Sequence, residues 1–216
     1  MYNPEAFQVV DLPVIYDFVA RNGFAVLTTF GPDAGPIASH LPLHLRHEPA
    51  TGGVAEPAVL VGHMARNNPQ WRNAAGEQAL VVFSGPHCYV SPTWYEEPNT
   101  VPTWNYLAVH AYGRVELTED PDELKQILAD SVSLYESAMP QPWQFDPTSP
   151  LSEALVKQIV GFRIVVERWE GKWKLNQNQS LARRRRVVAA LEARSDHDSK
   201  SVAAEMRRTL PRDEHA

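Results

Sequence analysis

Five short segments carry residue types that can hold a ligand. The first is HMARNNPQW, His63 to Trp71, where an apolar run gives way to polar residues. A strand exit exposes backbone N–H groups. Arg66 adds a charged fork and Asn67 and Asn68 add amide donors, which together suit a phosphate. The same string also fits a plain strand exit capped by asparagine, with Arg66 in solvent. The second is SHLPL, Ser39 to Leu43. Ser39, Leu41 and Leu43 share one face and His40 and Pro42 the other. Pro42 marks an edge or bulge where backbone can approach a ligand, whereas a lone strand histidine is commonly just packed.

The third segment, GPHCYVSPTWY (Gly85 to Tyr95), is dense in aromatics and prolines. It can wall a flat aromatic ligand, plug a barrel end or make a subunit contact. The fourth is VPTWNY, Val101 to Tyr106. Asn105 can bond a heterocycle edge with Trp104 packed beside it, or the aromatics can simply stabilise a sheet. The fifth is GKWKLNQN, Gly171 to Asn178. Alternation sets Lys172 and Lys174 on one face and Trp173 and Leu175 on the other. A lysine pair beside amides suits an anion, and so does a solvated hairpin.

Other chemistries find no support. His40 and His44 are four apart, which does not converge them on a strand as it would on a helix. No Cys/His ligand spacing is present, so no metal is expected. There is no nucleophile elbow, P-loop or GxG-type dinucleotide fingerprint. Arg183 to Arg186 form the one strong basic cluster. Four arginines on a helix can bind a phosphate backbone, or form a solvated helix end. They lie in the N-terminal half of their helix, which the macrodipole disfavours.

These segments need positioning elements, and the pattern supplies mostly strands. Asp11 to Asn22 reads as a helix with Val14, Ile15, Phe18 and Val19 on one face and Gly23 as its stop. Strand-like runs follow at Phe24–Thr29, Ile37–Leu45, Ala58–His63 and Ala79–Phe83. A turn cluster spans Gly31 to Pro36, and a Gly/Pro-rich loop spans Glu48 to Pro57. Tyr106–Leu117 alternates apolar and polar residues throughout. A helix capped by Asp120 follows, then a loop from Pro140 to Pro150 and a short helix around Ser152–Gln158. A last strand, Gly161–Trp169, turns at Gly171 into Lys172–Leu175. A basic helix, Leu181–Arg194, leads to a polar segment and a frayed end. Short strands with hairpin signals and few helices point to a barrel or a sandwich, and the long helix between the last two strands favours a barrel with peripheral helices.

At 216 residues the chain suits one large domain, or one domain and a tail. Its net charge of −6 argues against a whole-protein electrostatic grip on nucleic acid. Cys88 is the only cysteine, which excludes an intrachain disulfide. Neither a secretory signal at Met1 to Val10 nor a bilayer-spanning run is seen, so a cytoplasmic location is expected.

Taken in order, MYNPEAF, ASHLPL, HMARNNPQW, GPHCYVSPTWY, VPTWNYLAVHAYG and IVGFRIVVERWEGKWKLNQNQS resemble the FMN-binding negative transcriptional regulators of the PaiB-like family. The resemblance runs from residue 1 to about 180. It implies a mainly β protein with peripheral helices, a split β-barrel of the pyridoxamine-phosphate-oxidase or flavin-reductase type. A split-barrel domain over 1–179 would then carry a basic helix and tail over 180–216.

The resemblance also implies FMN bound at a homodimer interface. Its phosphate would lie on Arg66, Asn67 and Asn68, with Ser39 and His40. The strand backbone at Leu41 and at His63, Met64 and Ala65 would approach the cofactor. Trp104 and Asn105 would meet the ring edge, and Lys174 and Gln177 would approach from the second subunit. The family's tail is typically acidic where this one is basic, so the tail could touch DNA or a protein partner, or pair with acidic residues on a partner subunit.

Two alternatives stand beside the regulator. One is a small FMN-dependent oxidoreductase passing electrons from NAD(P)H to flavin or a small acceptor, with His40 and His63 the nearest to acid–base groups. The other is a haem-binding split barrel with His40, His63 or His110 as axial ligand. No residue is assigned a catalytic role, and no membrane association is expected.

Overall fold

The computed structural model describes residues 1–31, 35–46 and 58–211. The turn expected at Pro32 and Asp33 and the loop expected over Glu48 to Pro57 lie outside these residues. In chain order the elements are a 3-10 turn at Glu5–Phe7, β1 (Gln8–Val9), α1 (Leu12–Arg21), β2 (Phe24–Gly31), β3 (Gly35–Arg46) and β4 (Val59–Ala65). A 3-10 turn at Pro69–Asn73, β5 (Gln78–Val90), a 3-10 turn at Pro92–Tyr95, β6 (Thr103–Thr118) and α2 (Pro121–Glu136) follow. The chain continues through α3 (Pro150–Val156), β7 (Ile159–Lys174), α4 (Leu181–Glu192) and α5 (His197–Arg208). The strands hydrogen-bond in the order β1-β7-β4-β3-β2-β5-β6, and β6 also pairs with β7, so the order returns on itself.

The chain divides into two compact units. The first holds Met1–Ile15, Ser84–Val109 and the chain from Glu170 onward; the second holds Tyr16–Phe83 and His110–Trp169.

In the second unit β2 and β3 form an antiparallel hairpin from Phe24↔Pro42 to Gly31↔Gly35. β3 pairs with β4, β4 with β7, and β2 with β5, all antiparallel. Period-two alternation buries Ala25, Leu27 and Thr29 on β2 and Ala79, Val81 and Phe83 on β5. β4 is apolar on both faces: Val59, Leu60, Val61 and Met64 are all buried. The reason is α2, whose Ile127 packs against Val59 and Val61. That helix begins as its sequence dictates, with the Asp120 carboxylate accepting from the N–H groups of Asp122 and Glu123. At Gly113 of β6 a Cβ would stand 2.1 Å from the Val165 carbonyl oxygen, so this approach demands glycine.

In the first unit two expectations are corrected. Gly171 is not a turn. β7 runs unbroken from Ile159 to Lys174, and Gly171 pairs with Val9 of β1. A Cβ there would lie 2.8 Å from the Val9 carbonyl oxygen, so close strand contact, rather than chain reversal, requires the glycine. The polar segment after residue 194 is helical over His197–Arg208, and the end expected to fray lies partly outside the described residues. Asp196 caps α5 by accepting from the Ser199 N–H, and α5 buries Val202, Ala203 and Met206. α5 packs on α4, which buries Val187, Val188 and Leu191. The spacing of 202, 203 and 206 is a helical stripe that the surrounding charges obscured.

Among the described residues no helix is long and apolar enough to cross a membrane.

Candidate functional site

The sequence-derived candidates fall into two groups, one in each unit. In the second unit they gather at the exit of β4. Met64 is buried, so only its backbone can face a ligand, while Ala65 and Asn67 are exposed. The carboxamide of Asn68 fixes the exit. Its Oδ1 accepts from the Gln70 N–H and caps the 3-10 turn, and its Nδ2 donates to Ser39 Oγ on β3. Arg66 is held by three contacts: Nε donates to the Lys157 carbonyl, one terminal nitrogen to the Ile159 carbonyl, and the other pairs with Glu119. Trp71 Nε1 donates to the Arg66 carbonyl. Asn67 is the donor left over: it is exposed and its carboxamide bonds nothing among the described residues.

Gln70 was not singled out in the sequence. It is fully buried, and its Nε2 spans the Leu27 and Ile37 carbonyls and Thr29 Oγ1, tying β2 to β3 beneath the exit. Its place in a polar string before Trp71 hid that role. Leu41 is half-buried, and His40 is exposed, stacked on Phe24 at 6.1 Å between centroids. Ser39 and His40 therefore point to opposite faces of β3, and only Ser39 is bonded to the β4 exit.

His63 is half-buried with an unpartnered Nδ1, and burial lowers its pKa, so it is neutral near pH 7. A second histidine, His44, was passed over because strand spacing separated it from His40. It is buried, with Nδ1 3.4 Å from Ser131 Oγ and Nε2 3.9 Å from Asp130 Oδ2. Burial lowers its pKa, Asp130 opposes that shift, and Arg46 and His63 reinforce it. Burial would raise the Asp130 carboxyl, but hydrogen bonds from Arg46 and Gln126 hold it below its ordinary value. Only the α2 fold brings residues 44 and 131 together.

In the first unit the candidates surround the start of β6. Trp104 is 53% exposed, with Tyr89 and His87 rings 6.1 and 6.4 Å away. A groove of about 330 Å³ lies there, lined by Ser84, His87, Trp104, Tyr106, Leu107 and Ala108. Asn105 alternates to the other face and is fully buried, donating through Nδ2 to Met206 Sδ at 3.3 Å and leaving Oδ1 unpartnered. Lys174 donates to Thr103 Oγ1 and to the Trp104 carbonyl. Gln177 spends its carboxamide on its own turn, accepting from the Leu175 N–H and donating to the Trp173 carbonyl.

The arginine cluster is engaged within the first unit. Arg183 and Arg186 both pair with Glu97, Arg183 lies over the Tyr95 ring at 4.7 Å, and Arg184 donates to the Thr209 carbonyl and hydroxyl. The acidic partners foreseen on another subunit are thus present in the same chain. They offset the unfavourable position of the arginines on the helix dipole.

Residues 1–168 match the model of a family described as a putative FMN-binding domain. The chain is 38% identical over 205 residues to the protease synthase and sporulation protein PAI 2 of Bacillus subtilis, covering 94% of this chain and 95% of that one. A protein of Emericella nidulans is 30% identical over 243 residues, covering 94% and 95%. Among solved structures, the flavocytochrome Anf3 from Azotobacter vinelandii aligns with a TM-score of 0.58 at 12% identity, covering 77% of this chain and 69% of that one. The FAD and heme binding protein from Mycobacterium smegmatis aligns with a TM-score of 0.56 at 14% identity, covering 77% and 73%. At such identities these two structures speak for the fold alone, which is the split-barrel type expected from the sequence.

Proposed function

The chain belongs to the putative FMN-binding domain family, and on that premise we propose that it binds FMN at a homodimer interface and acts as a flavin-responsive regulator of the PaiB-like kind. The observation that carries the reading is the family match over residues 1–168, which includes the whole β4 exit.

The residues fit the cofactor. In the second unit the exposed Asn67 carboxamide is an unused donor at a strand exit that Asn68, Ser39 and Gln70 hold rigid. We assign the phosphate to Asn67 and Arg66, with Glu119 yielding the guanidinium, and give His40, Leu41, His63, Met64 and Ala65 supporting roles along the strands. In the first unit exposed Trp104 beside the groove suits a flat ring. Asn105 holds an unpartnered oxygen nearby in sequence. Lys174 and Gln177 act as positioning residues: one holds the Trp104 carbonyl and the other closes the 173–177 turn. Bound FMN supplies electron and hydride transfer; the protein orients it.

The exposed Tyr89 and Trp104 side chains are the candidates for subunit contact. The basic helix is assigned to packing of the tail, appended at residue 180, rather than to DNA, because Glu97 and Thr209 already engage three of its four arginines. FMN titration of the Asn67→Asp variant tests the phosphate assignment. A carboxylate there repels phosphate without touching the fold, so wild-type affinity in this variant removes Asn67 from the site.

A further inference from the structure

We propose that the first unit contains a pocket for a small organic monocarboxylate, which shares with the flavin assignment above only Lys174, the residue that holds the Trp104 carbonyl. The pocket has a volume of about 300 Å³, and its lining includes Phe7, Tyr95, Thr103, Lys174, Asn176 and Arg183. That size suits a small molecule.

Charge counting selects the ligand. Arg183 and Arg186 face Glu97, and Arg186 also faces Glu96, so two cations meet two carboxylates. Lys174 differs. Its ammonium has three donors. It gives them only to neutral acceptors, Thr103 Oγ1 and the Trp104 carbonyl, and pairs with no carboxylate among the described residues. Burial lowers its pKa, with Tyr106 opposing and Lys172 reinforcing, which is the signature of a partly desolvated cation without a counterion.

A second observation is independent. Asn176 is only 4% exposed, yet its Nδ2 has no hydrogen-bond partner. It also sits at φ 62°, a left-handed conformation, so the backbone is held in a strained turn with a buried donor unspent. One unpaired positive charge and one unpaired amide donor call for a ligand with a single negative charge and more than one acceptor oxygen. A carboxylate meets both needs. A phosphate dianion exceeds the charge, and a neutral amide leaves the ammonium unpaired. Phe7 and Tyr95 supply apolar wall for the body of such a ligand.

The test uses the full-length chain, with and without FMN, and calorimetric or saturation-transfer titration of paired probes. These are benzoate against benzamide, butyrate against butyramide, and inorganic phosphate. A carboxylate is expected to bind roughly tenfold or more tighter than its amide, the scale of one charge-assisted hydrogen bond. Lys174→Gln should erase that preference. Asn176→Gly should weaken the carboxylate while keeping the left-handed turn, since glycine adopts it freely. Absence of carboxylate binding, equal binding of carboxylate and amide, or preference for phosphate overturns the proposal. So does a preference untouched by both variants. FMN uptake in the same samples reports the flavin reading separately: carboxylate binding without FMN uptake sinks only that reading, and FMN uptake without carboxylate binding sinks only this one.

Discussion

Asn68 donates to Ser39 Oγ at 2.9 Å while its own Oδ1 accepts from the Gln70 N–H at 3.0 Å, so a single carboxamide ties β3 to the β4 exit and starts the next turn. Asn68→Ala is expected to cost about 0.5–2 kcal/mol, the range for a lost N-cap. Asn68→Asp keeps the capping oxygen and should cost less. Urea denaturation compares them; equal midpoints for wild type and Asn68→Ala would show that the cap holds nothing.

Met206→Leu conserves volume but removes the acceptor of the buried Asn105 Nδ2. An unsatisfied buried donor costs about 1–3 kcal/mol. The double variant Asn105→Leu/Met206→Leu removes donor and acceptor together and should lose less than the sum of the single losses. Additive losses in thermal melts would mean that the contact carries no coupling.

Stability should fall in mild acid. Burial holds the pKa values of His44 and His63 below their ordinary 6.5 in the folded protein. The unfolded chain therefore binds more protons as pH drops through 6.5, and the folded state loses stability from there down to the lowered folded values. Asp130, whose carboxyl lies below its ordinary 3.8, contributes in the same direction only in stronger acid. Melting temperatures measured from pH 7.5 to pH 5.5 (about one unit either side of the histidine's ordinary value) should decline. His44→Gln should flatten the decline, and an unchanged slope would exclude His44 as a cause.

Replacing Arg183 to Arg186 with alanine should leave FMN affinity unchanged and speed amide hydrogen exchange in α4, because Glu97 and Thr209 lose their partners. Loss of flavin instead would place the tail in the binding site.

Gly113→Ala should be strongly destabilising, since its Cβ would stand 2.1 Å from the Val165 carbonyl oxygen and β6 or β7 must shift. A soluble variant with a wild-type melting temperature would contradict the packing there.

Much of the fold was legible because strands announce themselves by their apolar runs: β6 buries alternate residues as read from the sequence, and the strand-like runs at Phe24–Thr29 and Ala79–Phe83 fall within β2 and β5. Asp120 was legible as a cap because capping is local. What escaped depended on distant partners. Gly171 reads as a turn until β1 is placed against it. The stripe Val202, Ala203 and Met206 looks polar until α4 covers it. At the candidate site, donor types at residues 66–68 were visible. That Arg66 is held by Glu119 and two carbonyls, that Gln70 anchors the exit from below, and that His44 meets Ser131 all require contacts 33 to 93 residues apart.

The most direct measurement is the visible absorption spectrum of the purified protein, followed by titration of the flavin-free chain with FMN under fluorescence detection. A flavin spectrum, or saturable FMN quenching at one site per chain that weakens in Asn67→Asp, is the predicted result. A colourless protein that takes up no FMN would contradict the account at its centre.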